Sequence, residues 1–131
     1  MKKKILLFEL FFLLPLFISA QQWIRIYGDS INTLANNVHE FYDKGYVFTG
    51  KQDIGWTSYG WLMKTDVNGY ELWSKIYGKL GKVNPITSSR ITNDGGVIAI
   101  GGTNVLSSNC DDPVVLKINS CGEKEWCKIY D

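Results

Sequence analysis

The sequence predicts an all-β fold: two four-stranded antiparallel units with one further strand ahead of them. Three observations carry that expectation. Short runs of β-branched and aromatic residues end on Gly, as in YVFTG (46–50) and VIAIG (97–101), the composition of strands rather than helices. Turn residues separate these runs at regular spacing. One hexamer comes three times, as WIRIYG at 23–28, WSKIYG at 73–78 and WCKIYD at 126–131.

The first twenty residues stand apart from the fold. Lys2, Lys3 and Lys4 precede an apolar stretch, Ile5 to Ile18, interrupted only by Glu9 and Pro15, and Ser19-Ala20 then supply small residues. This is the layout of a secretory signal peptide cleaved after Ala20, which implies a secreted, periplasmic or cell-surface protein. A membrane anchor is the competing reading. Its apolar run of 14 positions is shorter than the roughly 20 residues that span a bilayer, and Glu9 would be costly near its middle. The exported chain is therefore not expected to be an integral membrane protein. Removing three lysines and Glu9 from 14 basic and 13 acidic residues leaves 11 and 12, a net charge near −1. Without a basic excess or cluster there is no electrostatic footprint for nucleic acid.

The elements follow in order from residue 21. Residues 23–28 read as a strand without mates of its own. Strands near 37–42, 46–51, 61–66 and 70–77 make a first unit; strands near 86–92, 97–102, 113–118 and 123–130 make a second. DKGYVFTG (43–50) matches DGGVIAIG (94–101), and GWLMKTDVNGYELWSKIYG (60–78) matches PVVLKINSCGEKEWCKIYD (113–131). In the longer match Lys64 falls on Lys117, Asp66 on Asn119, Gly69 on Gly122, Trp73 on Trp126 and Tyr77 on Tyr130, all 53 residues apart. A period near 50 is the size of a β-propeller blade. The repeats run from about 23 to 72 and from 73 to 125, with a third starting at 126. Asp66 suits the first position of a type I turn and Gly69 the left-handed position after it, with Asn119 and Gly122 doing the same in the second copy. That turn predicts Asp66 opposite Tyr70, Met63 opposite Trp73, Lys117 opposite Glu125, and Leu116 opposite Trp126. Strands apolar on both faces suit stacked sheets, so Trp23, Trp73 and Trp126 are expected between neighbouring sheets.

With these motifs on the page, the chain resembles secreted bacterial β-propeller-like repeat proteins, whose blades read roughly W-x-x-x-Y-G … D-G-G-Y-x-x-x-G … W-L-x-K-x-D-x-x-G-x-x-x-W. The resemblance covers residues 23–131 and implies an open, incomplete propeller, since two blades and a lone strand do not close a ring of about four to eight blades. A piece of a longer protein or an open two-blade unit is favoured over assembly with copies of itself. More loosely, Asp66, Gly69 and Trp73 are similar to the docking residues of quinoprotein propeller blades. Those residues hold blades together, so no quinone cofactor is implied.

Candidate chemistry is sparse. His39 is the only histidine, and no G-x-S-x-G motif accompanies it, which disfavours a Ser/His/Asp relay. DVNGYE (66–71) carries oxygen ligands, but a hairpin turn explains all of it. NCDD (109–112) places two carboxylates in a long loop. Trp56, Tyr59 and Trp61 lie in or beside the longer loop of the first unit, where packing is expected of them. The cysteines number three, Cys110, Cys121 and Cys127. A C-x5-C spacing is poor for zinc, while an exported chain permits a disulfide. Cys121 at a hairpin tip and Cys127, placed opposite Val115, are too far apart to bridge; Cys110–Cys127 is the expected pair. No catalytic residue, cofactor or metal is called for. The expectation is an exported binding, interaction or structural repeat module, part of a larger propeller, able to self-associate through exposed sheet edges and with no identifiable partner. The alternative is a fragment of a propeller-type extracellular enzyme completed by further blades.

Overall fold

A computed structural model describes residues 24–28, 32–106 and 112–130. Among them there is no helix, and eight strands form two four-stranded antiparallel sheets, open rather than closed. The first sheet is a meander of β1 (Asn32–Glu40), β2 (Tyr46–Ile54), β3 (Thr57–Thr65) and β4 (Glu71–Tyr77). The second repeats that order with β5 (Ile86–Ile91), β6 (Val97–Thr103), β7 (Asp112–Ile118) and β8 (Lys124–Ile129).

Each hairpin has a local cause. Between β3 and β4, Asp66 Oδ1 accepts from the Asn68 and Tyr70 amides at 2.8 Å each, and Gly69 sits at φ 77°. Asn119 repeats this between β7 and β8, accepting from Cys121 and Glu123 at 3.0 and 2.9 Å, with Gly122 at φ 75°. An Asx side chain at the first position and Gly in the left-handed region fix this turn. Between β2 and β3 the expected longer loop is absent. Ile54 pairs with Thr57 across a two-residue turn in which Gly55 takes φ 61°. Gly at the first central position permits the tight hairpin, and both strands run to its tip.

The register differs from the expectation by one residue beyond each Asx turn. Thr65 pairs with Glu71, but Lys64 pairs with Trp73 and Met63 with Ser74; likewise Ile118 pairs with Lys124, Lys117 with Trp126 and Leu116 with Cys127. One extra residue on the returning strand, Leu72 or Glu125, makes a β-bulge that shifts all later pairs. Cys127 accordingly lies opposite Leu116, not Val115. A second pair of bulges interrupts β1 at Ala35/Asn37 and β5 at Ile86/Ser88.

The expected strand at 23–28 is not one. Trp23 lies outside the described residues, and Ile24–Gly28 join no ladder. Their contacts are made by side chains, described below, which bring the segment to the hairpin end and outer face of the first sheet rather than to a strand edge. Residues 1–20 and Cys110 also lie outside the described residues.

The core forms where one face of the first sheet meets one face of the second. Val47 and Leu62 from the first pack with Ile86, Val97, Ala99, Leu116 and Ile118 from the second, and Trp73 and Tyr77 lean on this cluster. Side chains alternate along a strand, so this face also carries Thr49, Lys64 and Lys75. Near β1 and β5 the contact is polar. Asn36 and Asn37 donate to the carbonyls of Ile86 and Thr87 at 2.6 and 3.0 Å, and Tyr42 donates to Thr92 O at 3.2 Å.

Candidate functional site

The contact that recurs in this molecule joins a Tyr and a basic residue to the main chain of a hairpin turn. At the junction of the two sheets, Tyr77 donates from its hydroxyl to Gly122 O at 2.7 Å, and Lys75 Nζ donates to Cys121 O at 3.0 Å. On the first sheet, Tyr27 donates to Gly69 O at 2.8 Å, and Arg25 Nε donates to Asn68 O at 3.3 Å. The acceptors are 53 residues apart and the donors 50, so one pattern, basic-x-Tyr, meets the same two turn carbonyls twice. The details differ only in the neighbour. Lys75 adds an ion pair to Glu123, whereas the Arg25 guanidinium lies 4.1 Å from the centre of the Tyr70 ring. The Tyr27 ring rests 5.5 Å from Phe48 on the outer face of the first sheet. Burial, then the nearby Glu123 charge, pushes the Tyr77 phenol well above its usual range, and burial chiefly does the same for Tyr27. Both remain neutral donors at physiological pH.

A second recurrent device anchors the sheets from within. Lys64 and Lys117 are buried, with 8% and 7% of their surface exposed. Lys64 Nζ pairs with Asp43 and lies 4.2 Å from the Phe41 ring centre; Lys117 Nζ pairs with Asp94 at 2.8 Å and with Glu125 at 2.9 Å. A buried ammonium keeps its charge only when paired in this way. The hydrogen bond from Lys117, helped by Thr92 and the Gly96 amide, holds the Asp94 carboxyl far below the usual carboxylate range, and Lys64 lowers Asp43 in the same sense. A carboxylate depressed on folding contributes stability that is present above its unfolded value of about 4 and is lost as pH falls through the folded value. Thermal stability is thus expected to drop progressively between pH 5 and the acid limit, and Asp94→Asn to flatten that slope. Melting curves across this range check it; an unchanged slope in the variant would remove Asp94 as the cause.

Between β4 and the second sheet lies a cleft of about 450 Å³, lined mainly by aliphatic groups including Ile76, Ala99, Val114, Leu116 and Ile129. Cys127, Lys79 and Lys124 also border it. A smaller cleft of about 320 Å³ occupies the matching place on the first sheet, between Gly28 and the side chains of Trp61, Met63 and Ser74. Both clefts follow from the same docking geometry.

Of the residues singled out from sequence, Asp66, Gly69 and Gly122 build the two turns that receive these contacts. Trp73 packs over Gly122, where an added Cβ would lie 3.1 Å from its ring. Trp126 is 41% exposed on the opposite face of the second sheet. Cys121 and Cys127 are exposed thiols not bonded to each other. Tyr59 and Trp61 are buried in strand β3, and Trp56 is fully exposed at a hairpin tip. Asp112 begins β7 opposite Thr103. His39 Nε2 lies 3.1 Å from Ser89 Oγ, but Ser89 is buried and hydrogen-bonded to Thr49 at 2.7 Å. That hydroxyl bridges the sheets and offers no accessible nucleophile. Among the described residues no group of three His, Cys, Asp or Glu is placed to hold a metal, and no helix is long and apolar enough to cross a membrane.

Neither a protein-family model nor a curated protein matches this chain. The residues that form the recurrent contact, Arg25, Tyr27, Lys75 and Tyr77, all belong to the repeated hexamer. Repetition of the hexamer marks these positions in the sequence, but only the folded chain brings the basic residue and the phenol onto the turn carbonyls.

Proposed function

We propose that this protein is an exported interaction module whose business is docking β-sheets face to face, with no chemistry of its own. In this reading each four-stranded sheet is a propeller-like repeat unit, and residues 1–20 are the leader that takes it out of the cytoplasm. The observation that carries it is the doubled contact of Tyr27 and Tyr77 with the carbonyls of Gly69 and Gly122. A contact reproduced at two places by repeated sequence reads as a coupling element: at Tyr77 it joins the two sheets, and at Tyr27 it holds residues 24–28 to the first sheet.

The test has two parts. Produced with residues 1–20 in a secreting host, the protein is expected outside the cytoplasm with a mass that begins at Gln21; an intact chain retained inside would defeat the export reading. Tyr77→Phe keeps the ring and deletes the donor, so stability is expected to fall by about 1 kcal/mol. The amides of the Asn119–Glu123 turn should then exchange faster with solvent. Unchanged stability and exchange would mean that the phenol does not couple the sheets.

A further inference from the structure

The two sheets differ in what covers them. Val47, Thr49 and Leu62 on the inner face of the first sheet have 0% exposure because the second sheet lies over them. Their counterparts in the second sheet are Ile98, Ile100 and Val115, on the face opposite Ala99 and Leu116, and this face points away from the first sheet. Ile98 and Val115 there are half-buried and Ile100 is 49% exposed, and Trp126 and Tyr130 are 41% and 51% exposed. The register places Trp126 and Lys128 beside Lys117 and Val115 on that face, and the Tyr130 amide donates to Pro113 O to continue the strand. Trp126, Lys128 and Tyr130 are the third copy of the residues that, as Trp73, Lys75 and Tyr77, dock on a hairpin turn. Among the described residues no turn is docked on them.

The chain also carries the matching receptor. The outer face of the first sheet carries Phe48 and Met63 where the second sheet carries Ala99 and Leu116, and its Asp66–Tyr70 turn has the hydrogen bonding of Asn119–Glu123. In the single chain this face is already covered, with Trp61 and Met63 only 6% and 1% exposed, so a second copy can reach it only by displacing what lies there. The contacts on that turn come from residues 24–28, through Tyr27 and Arg25, while Ile24 and Ile26 remain 68% and 92% exposed.

We propose that the uncovered face of the second sheet binds the outer face of the first sheet in another copy of this chain, head to tail. Tyr130 donates to Gly69 O and Lys128 to Asn68 O of that copy, with the Lys128 ammonium over the Tyr70 ring in place of Arg25. The inference rests on the docking function proposed above and names its partner. The interface continues the one already present between the two sheets, so donor and receptor are built to the same pattern. It is heterologous, so copies add into a ring if the rotation closes and into a filament if it does not. Residues 24–28 hold the same two turn carbonyls through Arg25 and Tyr27, so they must leave that turn before the second copy can bind it.

Sedimentation velocity on the exported chain from micromolar to millimolar concentration tests this. The wild type is expected to form concentration-dependent oligomers. Ile100 is outside the buried cluster, although it borders the cleft beside β4, so Ile100→Lys places a charge on the exposed face and should give a monomer with an unchanged circular dichroism spectrum. Tyr27→Ala weakens the competing segment, so association should strengthen by about fivefold to tenfold, from one lost hydrogen bond and its ring contact. Ile100→Lys added to Tyr27→Ala should abolish that gain. The proposal is overturned if wild type and Tyr27→Ala are both monomeric throughout, or if oligomers survive Ile100→Lys. Either result leaves the docking function standing as long as Tyr77→Phe destabilises the monomer, so the two failures can be told apart.

Discussion

Leu62→Ala is expected to destabilise the protein by about 3 kcal/mol, in the range for a buried leucine that leaves a cavity. Leu62 has 0% exposure and lies in the cluster shared by both sheets. The loss therefore falls on the junction and not on one sheet alone. Urea denaturation of wild type and variant, read by tryptophan fluorescence and circular dichroism, measures it. Trp73 sits at the junction, so its signal should report the weakened contact together with loss of β-structure. A cost under about 1 kcal/mol would mean that the sheets can close over the vacancy, and that their packing is looser than the shared core implies.

Gly50→Ala and Gly101→Ala are each expected to cost about 3 kcal/mol, the upper part of the range for overpacking against a fixed backbone. A Cβ on Gly101 would lie 1.9 Å from Pro85 O, and one on Gly50 would lie 1.9 Å from Leu34 O. Both obstacles are main chain, so no side-chain rotation relieves them. Gly50 faces Ala35 and Gly101 faces Ile86, each beside the bulge of the neighbouring strand. Forcing β1 away from β2 would also move Asn36 and Asn37, whose amides reach the second sheet. Gly50→Ala should thus loosen the junction as well as its own sheet, visible as faster amide exchange in β5. Two alanine variants with near wild-type stability would show that the bulged strands shift freely.

The architecture in outline was readable from the sequence because its causes are local. Asp66 with Gly69, and Asn119 with Gly122, specify hairpin turns by side-chain hydrogen bonding and by backbone freedom. β-branched runs specify the strands around them. What escaped depends on neighbours. The bulges at Leu72 and Glu125 change register without changing composition, and the Lys117–Glu125 ion pair forms around the bulge although the two residues are not opposite. Gly55-Trp56 makes a two-residue turn inside a stretch whose aromatics suggested a loop. The hexamer is a strand as β4 and in β8 but none at 24–28. A strand needs a mate at its edge, and sequence identity cannot supply one. The bridges from Asn36, Asn37, His39 and Tyr42 to the second sheet arise only once β1 and β5 lie together.

The acceptors in the doubled Tyr contact are main-chain carbonyls, and this has a consequence for divergence. A carbonyl is offered by every residue type, so the turn that receives the phenol can drift in sequence as long as its shape persists. The two turns already show it, with Asp-Val-Asn-Gly-Tyr in one and Asn-Ser-Cys-Gly-Glu in the other. Selection can then hold the geometry with an Asx residue and one glycine and leave the remaining positions free. Two sheets can thus be joined through the same backbone contact although the side chains of their turns differ. The choice of one neighbour over another falls to the residue beside the glycine, aromatic under Arg25 and acidic against Lys75.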